Sequence, residues 1–220
     1  MPGRLAAVIT GDLIGSSDAG AGVVEQAMAI LAETAGELTG RMAAGNTHFT
    51  RFRGDGWQVH IADASLALRA ALILLARLRG TGMPIATRAA IGIGTVDYLG
   101  TATLADARGT AFEFSGHALD KLRRTSRLAI AGQDINALHR AIIDLLDARA
   151  RRWTAQQAEA LALALHRGNP TLAEIGTQLG ISAQAVNYRL SGADARVIRR
   201  TLDDWEDDFE FNVLSGKGKV

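Results

Sequence analysis

The stretch "AVITGDLIGSSD", residues 7–18, runs from a short apolar segment straight into an acid, Asp12, and then into a loop of small residues. Its first part, within "LAAVIT" at residues 5–10, is short, apolar and bounded by Gly11, so it reads as a buried strand ending just before Asp12. A second acid, Asp55, has a comparable setting in "RFRGDGWQVHI", residues 51–61, where Trp57, Val59 and Ile61 alternate as in a half-buried strand. Between the two, residues 21–38 place Val24, Ala27, Met28, Leu31, Ala35 and Leu38 on one face at helical spacing, and the pattern stops at Gly40. Residues 63–80, "DASLALRAALILLARLRG", form a second helix closed by Gly80, and "IATRAAIGIG", residues 85–94, a fourth strand whose small residues suit close packing. The resulting order, βαββαβ, is the split βαβ of ferredoxin-like, palm-type α/β (α+β) folds.

That order bears on the two acids. With right-handed crossovers the first and third strands become antiparallel central neighbours. The end of the first strand and the hairpin joining strands two and three then share one rim, which brings Asp12 and Asp55 together. Two carboxylates side by side repel unless a cation lies between them, and hard divalent ions with oxygen ligands supply one. Mg²⁺ or Mn²⁺ held there would polarise a nucleotide phosphate and activate a hydroxyl. Simpler readings stand beside this one: Asp55-Gly56 is a strong two-residue hairpin signal, and Asp12 suits a helix cap.

The remaining chain continues with a third helix at 109–124, a short strand "RLAIAG" at 127–132, and a helix at 134–153 with Ile135, Leu138, Ile142 and Leu145 in register. Composition changes after Trp153 to short helices with a Gly turn. The reading is therefore a domain over 1–131, a connecting helix over 132–152, a helical module over 153–210 and a tail over 211–220. The 220 residues are 48% hydrophobic, enough for a packed core. With 24 basic against 23 acidic residues, overall charge favours no anionic partner. The absence of cysteine excludes disulfides and thiolate metal sites. Arg69 and Arg77 interrupt the longest apolar run, and no signal-peptide pattern is recognised, so a soluble cytoplasmic protein is expected.

"GDLIGSSD", "RFRGDGWQVHI", "RAAIGIGTV" and "DARGTAFEFSGHAL" resemble the successive motifs of class III nucleotidyl cyclases, and the chain as a whole resembles the SatD family. The resemblance implies that Asp12 and Asp55 are metal ligands and the catalytic acids, with Mg²⁺ or Mn²⁺ as cofactor and a nucleoside triphosphate as partner. It sets Arg51 where cyclases have a base-recognising Lys, and Asp106 near its acidic partner. Arg for Lys keeps the charge but changes the hydrogen-bond geometry. The helix departs from the pattern: Glu113 and His117 stand where the cyclases carry an Asn and an Arg. Lys121, Arg123 or Arg124 is then left to supply charge from the next turn. Losing preorganised donors costs about 10²–10³ in rate each, so the resemblance implies nucleotide binding with slow turnover or none.

In "TLAEIGTQLGISAQAVNYRLSG", residues 171–192, Gly176, Gly180 and Val186 have helix-turn-helix spacing, and Ile175, Leu179, Ile181 and Leu190 supply apolar contacts. Ser182 caps the second helix and leaves Gln184, Asn187, Tyr188 and Arg189 outward, side-chain types that read base edges and hold phosphate. Acids at 203–208 offset Arg196, Arg199 and Arg200, so a single copy would bind DNA weakly. Both parts argue for a homodimer. Two competing readings remain: a regulator whose front domain only dimerises, and an active cyclase whose helical part binds no DNA.

Overall fold

In the computed structural model, described for residues 5–41, 48–52, 54–101 and 103–209, five strands form one mixed sheet in the order β2-β3-β1-β4-β5. These are β1 (Ala6–Ile14), β2 (His48–Phe52), β3 (Gly56–Ile61), β4 (Ala86–Gly94) and β5 (Leu128–Gly132). The first four are antiparallel and follow the βαββαβ order; β5 adds to the edge parallel to β4. The fold is thus α/β, as expected.

β1 does not stop at Thr10. It runs through Gly11 and Asp12 to Ile14, pairing Asp12 with Gly56 on one side and with Arg88 on the other. Gly11 is a packing requirement rather than a break: a Cβ there would stand 2.3 Å from the Trp57 ring. Asp12 is therefore a strand residue, held by two neighbours, and not the first residue of a loop.

One sheet face carries Ile9, Leu13, Trp57, Val59, Ala89 and Ile91 against α2 (Ala21–Arg41) and α3 (Ala67–Gly80), all within the main core. The opposite face is covered by α4 (Thr110–Asp120), which lies across β1, β4 and β5. Gly92 admits it, because a Cβ there would come within 2.1 Å of the Ala111 carbonyl oxygen. Ser115 reaches from α4 to the Thr10 hydroxyl at 2.7 Å, and the Gln58 amide donates to Thr10 Oγ1 at 3.0 Å.

A short helix α1 (Ser16–Ala19) follows β1, and α5 (Ala137–Ala150) packs on β5. Burial on α5 falls on Ile143, Leu146 and Ala150, whereas Leu138 and Leu145 are 74% and 73% exposed. The helix is apolar on two sides, and the expected stripe of 135, 138, 142 and 145 mixes them.

The C-terminal helices are α6 (Ala155–Ala164), α7 (Leu172–Leu179), α8 (Ala183–Gly192) and α9 (Ala195–Asp208). They share one hydrophobic cluster with the sheet domain. α6 lies along α3, and Gly80 lets it approach: a Cβ there would be 2.9 Å from the Glu159 Cα. Arg69, only 4% exposed, donates to Glu206 at 2.5 Å, Asp203 at 2.7 Å and the Leu165 carbonyl at 3.2 Å. The arginine that interrupts the apolar run of α3 is thus a buried tie to α9. Among the described residues, no helix is long and apolar enough to cross a membrane.

Candidate functional site

The rim formed by the end of β1 and the β2–β3 hairpin gathers groups from several elements. Leu13 N–H donates to the Asp55 carbonyl at 3.1 Å, which fixes the hairpin tip beside the strand. The left-handed residue of the turn is Gly54, with φ 85°, and Asp55 is not left-handed. A type I′ turn centred on Asp55-Gly56 is therefore not what forms there. Gly56 is needed for a different reason, since a Cβ would stand 2.7 Å from the Phe52 ring. Asp55 accepts from the Ser16 hydroxyl at 2.7 Å, so the first residue of α1 is tied to the hairpin.

Asp12 is bound by a residue that sequence reasoning missed. Arg88, its partner across the β1–β4 ladder, donates from Nε to Oδ1 at 2.6 Å and from Nη2 to Oδ2 at 2.7 Å. This fork-on-fork pair is the geometry that makes Arg–carboxylate contacts strong and directional. Both groups are about one-third exposed or less. The guanidinium is held above its usual pKa, first by the Asp12 hydrogen bond and against desolvation, with the charges of Asp12, Asp120 and Asp55 adding to the effect. Three carboxylates from β1, the hairpin and the end of α4 thus act on one cation. The sequence shows an Arg within the apolar strand "ATRAAIGIG", but only the register of β1 on β4 sets it opposite Asp12.

The remaining residues implied by the cyclase resemblance lie apart. Arg51 pairs with Trp57 across β2–β3 and shares its face, where it donates to both oxygens of Glu25 on α2 at 2.7 Å and to the Gly54 carbonyl at 2.6 Å. The segment preceding Asp106 is held on the other face, through Leu104 N–H and the Thr50 hydroxyl at 2.8 Å. Glu113 and His117 are exposed on α4, whose inward residues are Ala111, Ser115 and Leu119. Lys121 lines a groove of about 550 Å³ beside β5, together with Arg123, Arg140 and Arg151.

A divalent ion at Asp12 and Asp55 does not fit this arrangement. Both Asp12 oxygens already accept from a cation, and among the described residues no three His, Cys, Asp or Glu side chains gather to hold a metal.

A second surface lies at the far end of the chain. Thr171 caps α7 in a capping box with Glu174, Gly180 ends it at φ 65°, and Ser182 caps α8 through Ala185 N–H. Gly176 is where the two helices touch: a Cβ there would meet the Ile181 carbonyl at 2.6 Å. Ile175, Val186 and Leu190 are buried behind α8, while Ser182, Gln184, Asn187 and Tyr188 are exposed, Tyr188 by 82%. Arg189 does not point outward with them. It turns back to Glu159 of α6 at 2.8 Å.

No family model matches the chain, and no curated protein does. Among solved structures, the guanylyl cyclase Cya2 superposes on 58% of this chain and 75% of its own, at a TM-score of 0.38 and 16% identity.

Proposed function

We propose that the protein is a DNA-binding regulator, in which a helix-turn-helix is carried on a cyclase-like α/β domain that performs no rapid cyclisation. The observation that carries this reading is the exposed face of α8. Tyr188, which follows Asn187 on a helix capped at Ser182, is left 82% in water and has no packing role in the described chain. Amide, hydroxyl and aromatic side chains on the second helix of such a motif are the groups that read base edges in a major groove. Few free cations flank them, so affinity for one half-site is low and a paired site is required.

The test is selection from randomised duplexes at low salt, followed by binding measurements. Enrichment of a two-fold-related motif, lost on Asn187→Ala, supports the reading. Failure to retain any duplex moves these helices into a purely architectural role.

A second reading is a nucleoside-triphosphate site at this rim with slow turnover, in which Mg²⁺ or Mn²⁺ would be held by Asp12 and Asp55 only with Arg88 displaced from Asp12. What favours it is the convergence of those two acids, from separate elements, on one rim. Calorimetry with each triphosphate and Mn²⁺ separates the two.

A further inference from the structure

We infer that Arg88 is a tethered cation that stands in the place of a divalent ion, so that the Asp12–Asp55 rim is metal-independent as built. This rests on the reading of the front domain as an idle cyclase-like scaffold. Three observations carry it. The guanidinium takes both Asp12 oxygens at 2.6 and 2.7 Å, leaving neither for an inner-sphere ion without breaking a charge-assisted bond. Asp55, the other acid of the pair, is occupied at Oδ2 by the Ser16 hydroxyl. Arg88 is also delivered by the sheet itself: it is the β4 residue paired with Asp12, so its backbone cannot move away without disturbing the ladder.

The physical requirement is simple. Asp55 is held beside the end of β1 by the Leu13 N–H, 3.1 Å from its carbonyl, and its charge acts on Arg88 together with those of Asp12 and of Asp120 from α4. Like charges converging on one rim need a counter-charge. A mobile dication would meet that need only when present; an arginine meets it permanently, and its own charge repels a dication from the same spot. The rim is then a structural joint between β1, β4 and the hairpin, stable without any ion.

The test uses the full chain and Mn²⁺ alone, with free ion read by its electron paramagnetic resonance signal. The parent protein should show no saturable site tighter than the order of 1 mM, the weak end for carboxylate sites. Arg88→Met keeps the aliphatic stem and deletes the charge. It should gain a site at least about tenfold tighter than the parent, which is a large enough change to read directly. Asp12→Asn in the Arg88→Met background should remove that gain. Arg88→Lys retains a cation and should remain as indifferent to Mn²⁺ as the parent. Parent protein that binds Mn²⁺ and loses it on Asp12→Asn overturns the inference, as does a folded Arg88→Met that gains nothing. If Arg88→Met does not fold, Arg88→Lys decides, because binding of Mn²⁺ by that variant also overturns it. None of these outcomes bears on the DNA-selection experiment, so failure here leaves the α8 reading standing, and the reverse.

Discussion

The sheet rim and the outer face of α8 both carry residues that sequence chemistry singles out, and they are finished in opposite ways. At the rim both acids end on another side chain, Asp12 on Arg88 and Asp55 on Ser16, and Arg51 on the neighbouring face likewise ends on Glu25. On α8, Gln184, Asn187 and Tyr188 stand exposed on a helix fixed from behind by Val186 and Leu190. Polar groups that satisfy one another rigidify a structure, whereas polar groups presented to water on a rigid support are available to a partner. The rim groups are mostly charged and the α8 groups neutral, but it is the partnering that decides which of them a ligand can reach.

The largest expected effect comes from separating the two regions. Arg69 joins them through Glu206 and Asp203, and it is nearly fully buried. Removing one member of a buried ion pair strands the other, at a cost of about 3–5 kcal/mol. Arg69→Ala should lower the unfolding free energy by that much and split the denaturant transition, the C-terminal helices melting first. A single unchanged transition would mean that packing of α6 on α3 alone couples the halves. The same junction sets a pH dependence. Burial pushes the Glu206 carboxyl up, opposed by the hydrogen bond and charge of Arg69. The folded state therefore holds that proton more tightly than the unfolded chain. The stability this contributes is fully present below the ordinary glutamate pKa and is lost as pH rises through the raised value. Glu206→Gln should flatten stability against pH in that window, as measured by urea midpoints at several pH values.

On α8, Asn187→Ala and Gln184→Ala should each reduce discrimination between preferred and altered duplexes, by roughly 1–3 kcal/mol per lost bidentate contact. Titrations of matched and mismatched sites by fluorescence anisotropy read this. Equal losses on all sequences would mean that these side chains touch phosphate only.

Arg189 sharpens the comparison, because it belongs to α8 yet is finished like the rim. Its partner Glu159 holds it against α6. Arg189→Ala should therefore leave the salt dependence of DNA binding nearly unchanged. Glu159→Ala frees the guanidinium and should steepen the slope of log K against log salt by about 1. A fall in slope on Arg189→Ala alone would show that the pair opens on DNA.

The fold was largely legible because alternation in the strands and helical spacing in α2 and α3 point the same way as the turn residues. The rim was legible only in part. Asp12 and Asp55 reach it by topology, but an acid within an apolar strand looks like the end of that strand, because local pattern cannot show that Arg88 lies across the ladder. The surroundings of Arg51 were hidden for a related reason. Adjacent strand residues face opposite ways, so Arg51 faces α2 while Thr50 holds the Leu104–Asp106 segment. The motif spacing at Gly176, Gly180 and Ser182 was more informative, since each position answers to a short-range constraint: close contact, a left-handed turn and a cap.

The smallest expected effect concerns α5, where the sequence offers two apolar sides and the fold buries one. Ile143 and Leu146 face the core, and Leu138 and Leu145 face water. Replacing a solvent-exposed leucine removes little buried area, so Leu138→Ala with Leu145→Ala should shift stability by no more than about 0.5 kcal/mol. Ile143→Ala opens a cavity and should cost about 2–5 kcal/mol. Both are read as denaturant midpoints at one protein concentration. A loss on the scale of Ile143 from the outer pair, growing as the protein is diluted, would place a second copy of the chain on that face and make its exposure a property of the monomer alone.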